Sequence, residues 1–440
     1  MAPSIPRLVE QVQSWGRLGA HEHTVVTPHF LDEVQVAMAA CDGPVLAFGA
    51  GRSYGDVALN RGGLLMRFHA LDRIIAADWA TGVVRAEAGM SLDALLRLAV
   101  PKGWFLPVTP GTKFCTLGGA VANDVHGKNH ESAGTIGMHI RRIALLRSTE
   151  GVIEISLQKR PDLFRATIGG LGLTGLILWV ELALKPITSA FIEVETIPMT
   201  DLDTFFRLAP ESRDWDYTVA WVDCLAAGAG IGRGLFMRGR HLQGIQLVSH
   251  PPPRLTVPID APTWLLNGRT VRIFNKLFQA RRRVAGWRIV SYDRFFYPLD
   301  SIGAWNRLYG SRGFFQHQCV VPMNAAPDAI RQLLALTAEF GEGSFLVVLK
   351  LFGDRRSPGW LSFPKAGATL ALDLPNRGDS TRRLLQAMTD VVMAAEGRIY
   401  PAKDATMTAD AFHAGFPEWR KVEALRDPKI MSDFWRRVAA

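Results

Sequence analysis

The chain has 440 residues, of which 48% are hydrophobic and 21% are charged, so it is long enough to form two or three domains that each bury a core. Its formal net charge of +9 favours a polyanionic partner, whether nucleic acid, anionic lipid or a phosphorylated substrate. Nucleic acid is the least favoured, because the sequence contains no zinc-finger spacing, RNP-type strand or lysine-rich tail.

The sequence does not predict membrane insertion. Its N-terminal residues have no apolar h-region of the secretory kind. The longest apolar stretch, residues 171–184, is interrupted by Gly175 and Glu181 and is shorter than the roughly 20 residues of a membrane-spanning helix. We therefore expect a cytoplasmic protein. The four cysteines lie far apart without metal-binding spacing, so we expect no metal site.

Short strand-like runs bounded by Gly, Asp or Asn dominate the first part of the chain, at residues 44–48, 63–67 and 82–87. Helical stretches lie between and after them. Ser91 can cap a helix over residues 92–100, whose leucines fall on one face. This mixture of strands and helices predicts an α+β fold.

From about residue 190 the pattern becomes a second α+β unit. It has predicted strands at residues 344–352 and 368–374, and its helices begin near Asn324 and Ser380. The sequence therefore predicts two units rather than one.

A basic amphipathic stretch occupies residues 264–283. Basic and apolar residues alternate there in a pattern that suits a helix lying on a membrane surface. A helix that faces the core and exposes a solvated basic face is the alternative, and the pattern alone slightly favours it. The apolar positions are Val271, Phe274 and Phe278, and the basic ones are Arg269, Arg272, Lys276, Arg281, Arg282 and Arg283.

A glycine-rich turn directly follows the predicted strand at residues 44–48. Such a turn lets backbone N–H groups approach a diphosphate, and Arg52 adds a fixed cation. It is not a Rossmann fingerprint, because its glycine spacing differs and it does not open a helix. An ordinary tight turn explains this segment alone equally well. The segment comprises Phe48, Gly49, Ala50, Gly51, Arg52, Ser53, Tyr54, Gly55 and Asp56.

The second segment is a run of small residues followed by a polar cluster. Small residues remove side-chain bulk, so that a large flat or extended ligand can lie against the backbone. A single histidine such as His126 is as often a satisfied turn residue as a ligand, but burying the whole cluster without a ligand would leave many polar groups unpaired. The segment includes Gly111, Thr112, Thr116, Leu117, Gly118, Gly119, Asn123, Asp124, Val125, His126 and Lys128.

A third segment, residues 168–178, is a glycine-dense approach to a strongly apolar strand. It fits a backbone edge packed against a planar ring.

Together these segments resemble the FAD domain of the vanillyl-alcohol-oxidase and p-cresol-methylhydroxylase superfamily. Further motifs narrow the resemblance to the decaprenylphosphoryl-ribose 2′-oxidase family. The resemblance covers nearly the whole chain, and its weight comes from the order of the motifs rather than from any one of them. In chain order they are GRSYGD, PGT with GGA and HGKNH, LFRATIGGLGLTG, YPLD with WNRLYG and GFFQHQ, LKLFG with LSFP, and YPAKD.

The resemblance implies a two-domain, vanillyl-alcohol-oxidase-like fold. Residues 1–190 would form the FAD-binding domain of p-cresol-methylhydroxylase type, completed by residues 400–440. Residues 191–399 would form an α+β substrate-binding domain built on an antiparallel sheet.

The resemblance also implies how FAD is bound. Residues 49–56 and 116–119 would lie near the diphosphate, and residues 123–126 beside the flavin. The predicted cofactor set is completed by Gly175, Leu176 and Ile177, of which the last two would meet the adenine end, and by Tyr400 and Lys403.

We expect the FAD to be non-covalent. Superfamily members with a covalent flavin often use a histidine in the first loop, whereas this loop has Tyr54, Gly55 and Asp56.

Three residues are catalytic candidates. Lys403 matches a family lysine beside the N1/O2 edge of the flavin, where a cation stabilises the negative charge of the reduced ring; a lysine beside an aspartate is otherwise most often a surface pair. His126 is a candidate to accept the hydroxyl proton as hydride leaves carbon. Tyr54 is the third candidate.

The implied substrate set comes from both units. Sugar hydroxyls need hydrogen-bonding partners and a phosphodiester needs cations, and this set supplies both. Mycobacterial members have a pocket cysteine where this chain has Ala371, so inhibitors that bond to that thiol should fail here. The set consists of His126, Lys128, Tyr297, Gln316, Gln318, Lys350, Phe352, Thr369 and Ala371.

The resemblance implies an FAD-dependent oxidoreductase that oxidises a secondary sugar hydroxyl, specifically the 2′-hydroxyl of a polyprenylphosphoryl-ribose. It also implies a short-chain NAD(P)H reductase that acts next, completing an epimerisation to arabinose. One alternative is an oxidase of soluble alditols or aldonolactones that uses oxygen. Another is a flavin-free protein that binds lipid phosphate or nucleic acid through its basic surface.

Overall fold

The computed structural model describes most of the chain. It covers residues 6–244, 246–250, 255–262, 265–282, 286–341, 343–344 and 346–439, without the side chains of residues 274 and 278–282. Among the described residues, no helix has both the length and the apolar character needed to cross a membrane.

The first part of the chain forms small sheets and short helices. Its strands are β1 (Leu8–Gln13), β2 (Ala20–Val26), β3 (Val45–Phe48), β4 (Leu64–Arg67), β5 (Ile74–Asp78), β6 (Val83–Glu87), β7 (Trp104–Phe105), β8 (Ile140–Arg147), β9 (Gly151–Ile155), β10 (Leu176–Ala183) and β11 (Lys185–Pro186). Its helices are α1 (Leu31–Ala39), α2 (Leu92–Ala99), α3 (Leu117–Ala122), α4 (His130–Ala133) and α5 (Pro161–Thr167).

Two main sheets organise this part. One has the order β1-β2-β4-β3 and contains parallel pairs, and the other has the antiparallel order β5-β6-β10-β8-β9. The predicted cap of α2 is confirmed: Ser91 Oγ accepts a hydrogen bond from the backbone N–H of Ala94 at 3.1 Å.

The second part is built on one large sheet. Its strands are β12 (Phe191–Met199), β13 (Tyr217–Val222), β14 (Gly234–His241), β15 (Leu255–Thr256), β16 (Gly286–Ser291), β17 (Ile302–Gly303), β18 (Phe314–Val321), β19 (Val347–Phe352), β20 (Gly367–Pro375) and β21 (Arg398–Ile399). Its helices are α6 (Leu202–Glu211), α7 (Gly268–Arg282), α8 (Tyr292–Phe296), α9 (Ala326–Phe340) and α10 (Asp379–Ala394).

The large sheet has eight strands in the order β16-β12-β14-β13-β19-β20-β18-β21, and all its pairs are antiparallel. Helices α9 and α10 cover one face with apolar side chains such as Leu333 and Met388. The predicted α+β fold is therefore confirmed, and the change from small sheets to the large sheet falls between Pro186 and Phe191.

The C-terminal segment returns to the first part as α11 (Ala409–Gly415), α12 (Trp419–Leu425) and α13 (Asp433–Val438). Ile430 forms a parallel bridge with Val45 of β3. The guanidinium of Arg437 donates to the carboxylate of Asp56 at 2.7 Å. These contacts fix the last residues against the glycine-rich turn.

Some predicted boundaries were wrong. Helix α9 begins at Ala326 rather than near Asn324, and α10 begins at Asp379, so that Ser380 lies inside its first turn. The strand predicted from residue 344 begins only at Val347, because Ser344 forms a local turn in which its hydroxyl accepts from the N–H of Leu346.

The basic stretch forms α7. Val271 and Asn275 face the interior, whereas Ile273 and Leu277 are each 59% exposed. Arg272 and Lys276 are exposed beside them. The predicted contributions of Trp264 and Arg283, and of the side chains of Phe274, Phe278, Arg281 and Arg282, lie outside what the structure describes.

Candidate active site

A cavity lies where the first part of the chain meets the large sheet. The glycine-rich segments of the first part form one wall, and β18, β19 and β20 form the other. Tyr400 and Lys403, just after β21, lie at the same cavity. The sequence segments that were predicted to act together are thus brought together by the fold.

The cavity is lined by most of the residues predicted to bind the cofactor. They are Gly49, Ala50, Gly51, Arg52, Ser53, Tyr54, Gly111, Thr112, Thr116, Gly118, Gly119, Asn123, Val125, His126, Gly175, Ile177, Tyr400 and Lys403.

Other predicted cofactor residues do not line the cavity. They are Phe48, Gly55, Asp56, Leu117, Asp124 and Leu176. The two carboxylates have structural partners, because Asp56 pairs with Arg437 and the fully buried Asp124 accepts from Ser362 Oγ at 2.5 Å and from the N–H of Gly137 at 2.8 Å. These two residues support the loops and do not face the cavity.

Two of the glycines in the first turn are required by geometry. A Cβ on Gly49 would lie 2.4 Å from Thr116 Oγ1, so this position brings the turn directly against the second segment. Gly51 has a φ of 62°, in the left-handed region that favours glycine. Backbone therefore forms the surface of the cavity here.

Three buried polar atoms at this cavity have no hydrogen-bond partner among the described residues: Arg52 Nε, Asn123 Oδ1 and His126 Nδ1. Buried polar atoms are normally paired, so these atoms fit a large polar ligand. The Arg52 guanidinium lies 4.0 Å from the centre of the Trp15 ring, which holds the cation in place. A glycine wall, a fixed cation and unpaired polar atoms together fit FAD.

Lys403 is a second cation that lines the cavity. Its Nζ lies 4.0 Å from the centre of the Tyr54 ring. Burial lowers the pKa of Lys403 to about 8, against the opposing influence of Asp373 and Cys115. Burial also raises the pKa of Tyr54, so its phenol stays neutral and supports the ammonium through its ring.

His126 stands between the two parts of the chain. The Gln318 side-chain amide N–H donates to His126 Nε2 at 2.9 Å, so Nε2 is unprotonated and the proton of the neutral ring lies on Nδ1. The imidazole packs against Phe352, Phe363 and Tyr400. Burial, followed by the charge of Lys350, holds the pKa of His126 well below its usual value, so the ring is neutral and able to accept a proton.

Two further lysines lie near His126 without a carboxylate partner among the described ion pairs. Lys128 Nζ donates to the carbonyl of Phe296 at 3.1 Å, and Lys350 Nζ donates to that of Gly127 at 3.3 Å. Burial and the charge of Lys350 lower the pKa of Lys128 to about 7. Burial and the charge of Lys403 lower that of Lys350 to about 8. Such a pair fits an anionic ligand.

The sequence analysis missed Asp373. This fully buried carboxylate accepts from Gln316 Nε2 at 2.5 Å and from the Tyr309 hydroxyl at 3.4 Å. Burial raises its pKa to about 7. Strand alternation could have revealed it, because Asp373 shares a face of β20 with Thr369 and Ala371.

Six of the nine predicted substrate residues line the cavity, one lines an adjoining cavity, and two line neither. His126, Gln316, Gln318, Lys350, Thr369 and Ala371 line it, and Lys128 lines an adjoining cavity. Tyr297 is fully buried, with its hydroxyl 2.6 Å from Thr109 Oγ1. Phe352 packs behind the imidazole of His126, with 4.8 Å between ring centres. Both residues support the wall rather than form its surface.

Comparisons with known proteins agree with this site. Residues 23–156 match the family described as FAD binding domain. The chain is 35% identical to decaprenylphosphoryl-β-D-ribose oxidase of Mycolicibacterium smegmatis over 98% of both chains. It is 33% identical to an uncharacterized protein of Streptomyces coelicolor, over 79% of this chain and all of that protein. With the L-gulonolactone oxidase of Mus musculus it shares 25% identity over 40% of each chain.

The fold and the cavity define an FAD-dependent oxidoreductase with the FAD-binding domain of the vanillyl-alcohol-oxidase type. Within that class, the chain belongs to the decaprenylphosphoryl-β-D-ribose oxidase family. The predicted cofactor, FAD, is thereby confirmed, as is the enzyme class.

Proposed function

We propose that this enzyme oxidises a secondary hydroxyl of a sugar linked through phosphate to a lipid, specifically the 2′-hydroxyl of a polyprenylphosphoryl-ribose, to a ketone. The single observation that carries the proposal is the pair Lys128 and Lys350 beside His126. Among the described residues, both lysines are held by backbone carbonyls and not by carboxylates. A substrate phosphate would supply their missing counter-charge.

Electrostatics support a charged substrate over a neutral one. Lysine side chains removed from water without an anion are destabilised by several kcal/mol, and the lowered pKa values of Lys128 and Lys350 reflect that cost. A phosphodiester between them would restore their charge. A neutral alditol or lactone would leave them uncompensated.

The residues around His126 have distinct roles in this proposal. Gln316, Gln318 and Thr369 supply hydrogen-bonding groups for the sugar hydroxyls on one sheet face. The reacting hydroxyl replaces the Gln318 amide at His126 Nε2, and this atom takes its proton. FAD, when bound, supplies the two-electron acceptor for the hydride that leaves the carbinol carbon.

Lys403 and Tyr54 serve the cofactor. We propose that the Lys403 ammonium stabilises negative charge that develops on the ring system beside it. The Tyr54 ring holds that ammonium at 4.0 Å. Tyr400 closes the cavity end by donating its hydroxyl proton to the carbonyl of Asn123 at 2.9 Å.

Anaerobic titration of the purified holoenzyme tests the proposal. Polyprenylphosphoryl-ribose should bleach the flavin spectrum and yield one ketone per reduced flavin. An unchanged flavin spectrum would contradict the proposal that polyprenylphosphoryl-ribose is the substrate. Rapid peroxide formation with free alditols or aldonolactones would favour the soluble sugar oxidase, and protein that purifies without flavin would favour the binding protein.

We also propose that the ketone passes to a separate short-chain NAD(P)H reductase, as the family resemblance implies. The oxidation alone leaves a carbonyl at the reacting carbon, and only a reduction from the other face inverts that centre. Incubation of the ketone product with such a reductase and NAD(P)H should give the arabinose epimer. Recovery of ribose alone would contradict this step.

We further propose that α7 contacts the cytoplasmic face of an anionic membrane. Its exposed Ile273 and Leu277 lie beside the exposed Arg272 and Lys276, which is the composition of an interfacial helix. Replacing both basic residues by Gln should weaken co-sedimentation with anionic vesicles and leave binding to neutral vesicles unchanged. Equal sedimentation of the variant and the wild type would contradict the contact.

A further inference from the structure

A second cavity adjoins the first and has a different lining. It has a volume of about 840 Å³ and lies between the outer half of the large sheet and α7. This is within the range of roughly 300–1,000 Å³ that small-molecule sites occupy. The wall is mainly apolar, with Val194, Val219, Met237, Val290 and Val271 among its residues.

The two cavities meet at a shared boundary. His126, Lys350, Val348 and Trp305 line both of them. Lys128 lines the second cavity at this junction. The pair of lysines therefore marks the point where the polar cavity gives way to the apolar one.

Strand register shows that both cavities share one face of the large sheet. Gln318 lies opposite Ala371, Ala371 opposite Val348, and Val348 opposite Trp221. Residues opposite one another in a sheet point to the same side. The face continues through Val219 and Met237 to β12 and the edge strand β16.

Polarity changes along this face from β18 to β12, before the edge strand β16, where Arg288 lines the second cavity. On β18 and β20 it carries Gln316, Gln318 and Asp373, and on β19 it carries Lys350. Across β13, β14 and β12 its cavity-lining residues are mainly apolar, and the described lining of the second cavity contains no acidic residue. The sequence of surfaces is hydroxyl-binding, cationic and apolar, which is the order of groups in a sugar joined through phosphate to a hydrocarbon chain.

We infer that the second cavity binds the isoprenoid chain of the substrate. The sugar lies in the first cavity, the phosphate lies between Lys128 and Lys350, and the chain crosses β13, β14 and β12 toward β16 and α7. This inference rests on the proposed function and adds a binding site for the hydrocarbon. Helix α7 contacts β14 along this path, and its Val271 lines the cavity, whereas its exposed Ile273 and Leu277 would face the lipid from which the chain comes.

Chain-length dependence tests the site directly. The probes are inorganic phosphate and the dimethylallyl, geranyl, farnesyl and geranylgeranyl monophosphates, whose affinity for the FAD-loaded enzyme is measured by calorimetry. Each fully buried methylene group is worth about fourfold in affinity, so each added isoprene unit should increase affinity at least about tenfold until the cavity is filled. Equal affinity for all four lipids would overturn the inference.

Two cavity variants and a matched control locate the site. Val219→Trp fills the middle of the path and should abolish the gain in affinity with chain length beyond the shortest chains. Val290→Asp lies on the edge strand and should weaken the binding of only the longest chains. Val152→Trp, on a 52% exposed position of β9, is the control and should keep the wild-type series. FAD content and thermal stability, measured for every variant, identify general unfolding.

The outcomes separate this site from the proposed function. Flavin reduction at equal efficiency by phosphoryl-ribose with short and long chains would leave the function standing and contradict the chain site. Length-dependent binding of the monophosphates without flavin reduction by polyprenylphosphoryl-ribose would contradict the function and leave the chain site standing. Loss of length dependence in Val152→Trp equal to that in Val219→Trp would also contradict the site.

Discussion

The two walls of the active-site cavity recognise their ligands by different means. The wall from the first part is largely backbone and small side chains, with Gly49 in contact with Thr116 and with Gly51 in a left-handed conformation. The wall from the large sheet consists of side chains on β18, β19 and β20, such as Gln318, Lys350 and Ala371. A backbone wall suits a cofactor common to many reactions, and a side-chain wall suits one particular substrate.

The largest expected effect concerns the cation that serves the cofactor wall. Lys403→Met should slow flavin reduction by about 10²–10³-fold, the usual effect of losing one group that stabilises developing charge. In the wild type the reduction rate should fall as pH rises through about 8, because the ammonium is the form present below the pKa of Lys403. Anaerobic stopped-flow measurements across pH test both.

Lys403→Arg is the matched variant, since it keeps the charge at all these pH values. It should recover part of the rate and lose the pH dependence above 8. A Lys403→Met enzyme that reduces at the wild-type rate would contradict the role of this cation.

The next effect belongs to the substrate wall. Lys350→Met should raise KM for polyprenylphosphoryl-ribose by about 10–100-fold, as expected for loss of a hydrogen bond to a charged group, with a smaller change in kcat. FAD content should stay at the wild-type level. Steady-state kinetics measure substrate binding by the large-sheet wall, and the flavin-to-protein ratio measures cofactor binding by the backbone wall.

The exposed Lys102→Met provides the control for this change. Loss of FAD from the Lys350→Met enzyme, or an unchanged KM, would contradict the claim that this wall binds the substrate and the other wall binds FAD.

A smaller effect is expected from the backbone wall. Gly49→Ala places a Cβ 2.4 Å from Thr116 Oγ1, and relief of that contact should cost about 1–3 kcal/mol and weaken FAD binding about tenfold. Fluorescence titration of the apoenzyme with FAD measures this loss. Gly43→Ala is the control, because a Cβ there meets nothing within 4 Å. Equal FAD affinity in the two variants would contradict the close approach.

The smallest expected effect connects the two walls. Asp373 favours the charged form of Lys403, so Asp373→Asn should lower the pKa of that lysine further and move the fall in flavin reduction to lower pH. At pH 9, above the pKa of Lys403, a decrease of that pKa by about 0.5 should lower the rate about threefold. The control is Asp42→Asn, at an exposed position. A pH profile identical to the wild type would leave Asp373 with only a structural role.

The difference between the backbone wall and the side-chain wall also explains which site residues could be predicted from the sequence. Glycine-rich turns are contiguous in the chain, so the segments around Gly49 and Gly118 were identified directly and do line the cavity. Asp373 was missed because its place depends on register: its partner Gln316 is 57 residues away in sequence. Local patterns do not specify which strands of a sheet are neighbours.

The family motifs also led to two wrong predictions of substrate-binding residues. Tyr297 and Phe352 belong to motifs that surround the site, yet the structure places both behind its surface. Aromatic side chains bury large apolar areas. An aromatic residue in a motif can therefore serve to pack the residues around His126 and not only to contact a ligand. Only the fold separates these two roles.

The central claim is that a phosphate beside the sugar determines recognition. The most direct measurement is anaerobic stopped-flow reduction of the wild-type flavin by polyprenylphosphoryl-ribose and by a neutral polyprenyl riboside of the same chain length. Since Lys128 and Lys350 both lack carboxylate partners among the described ion pairs, the phosphorylated compound should show at least about a 100-fold higher ratio of reduction rate to dissociation constant. Equal ratios for the two compounds would contradict the account.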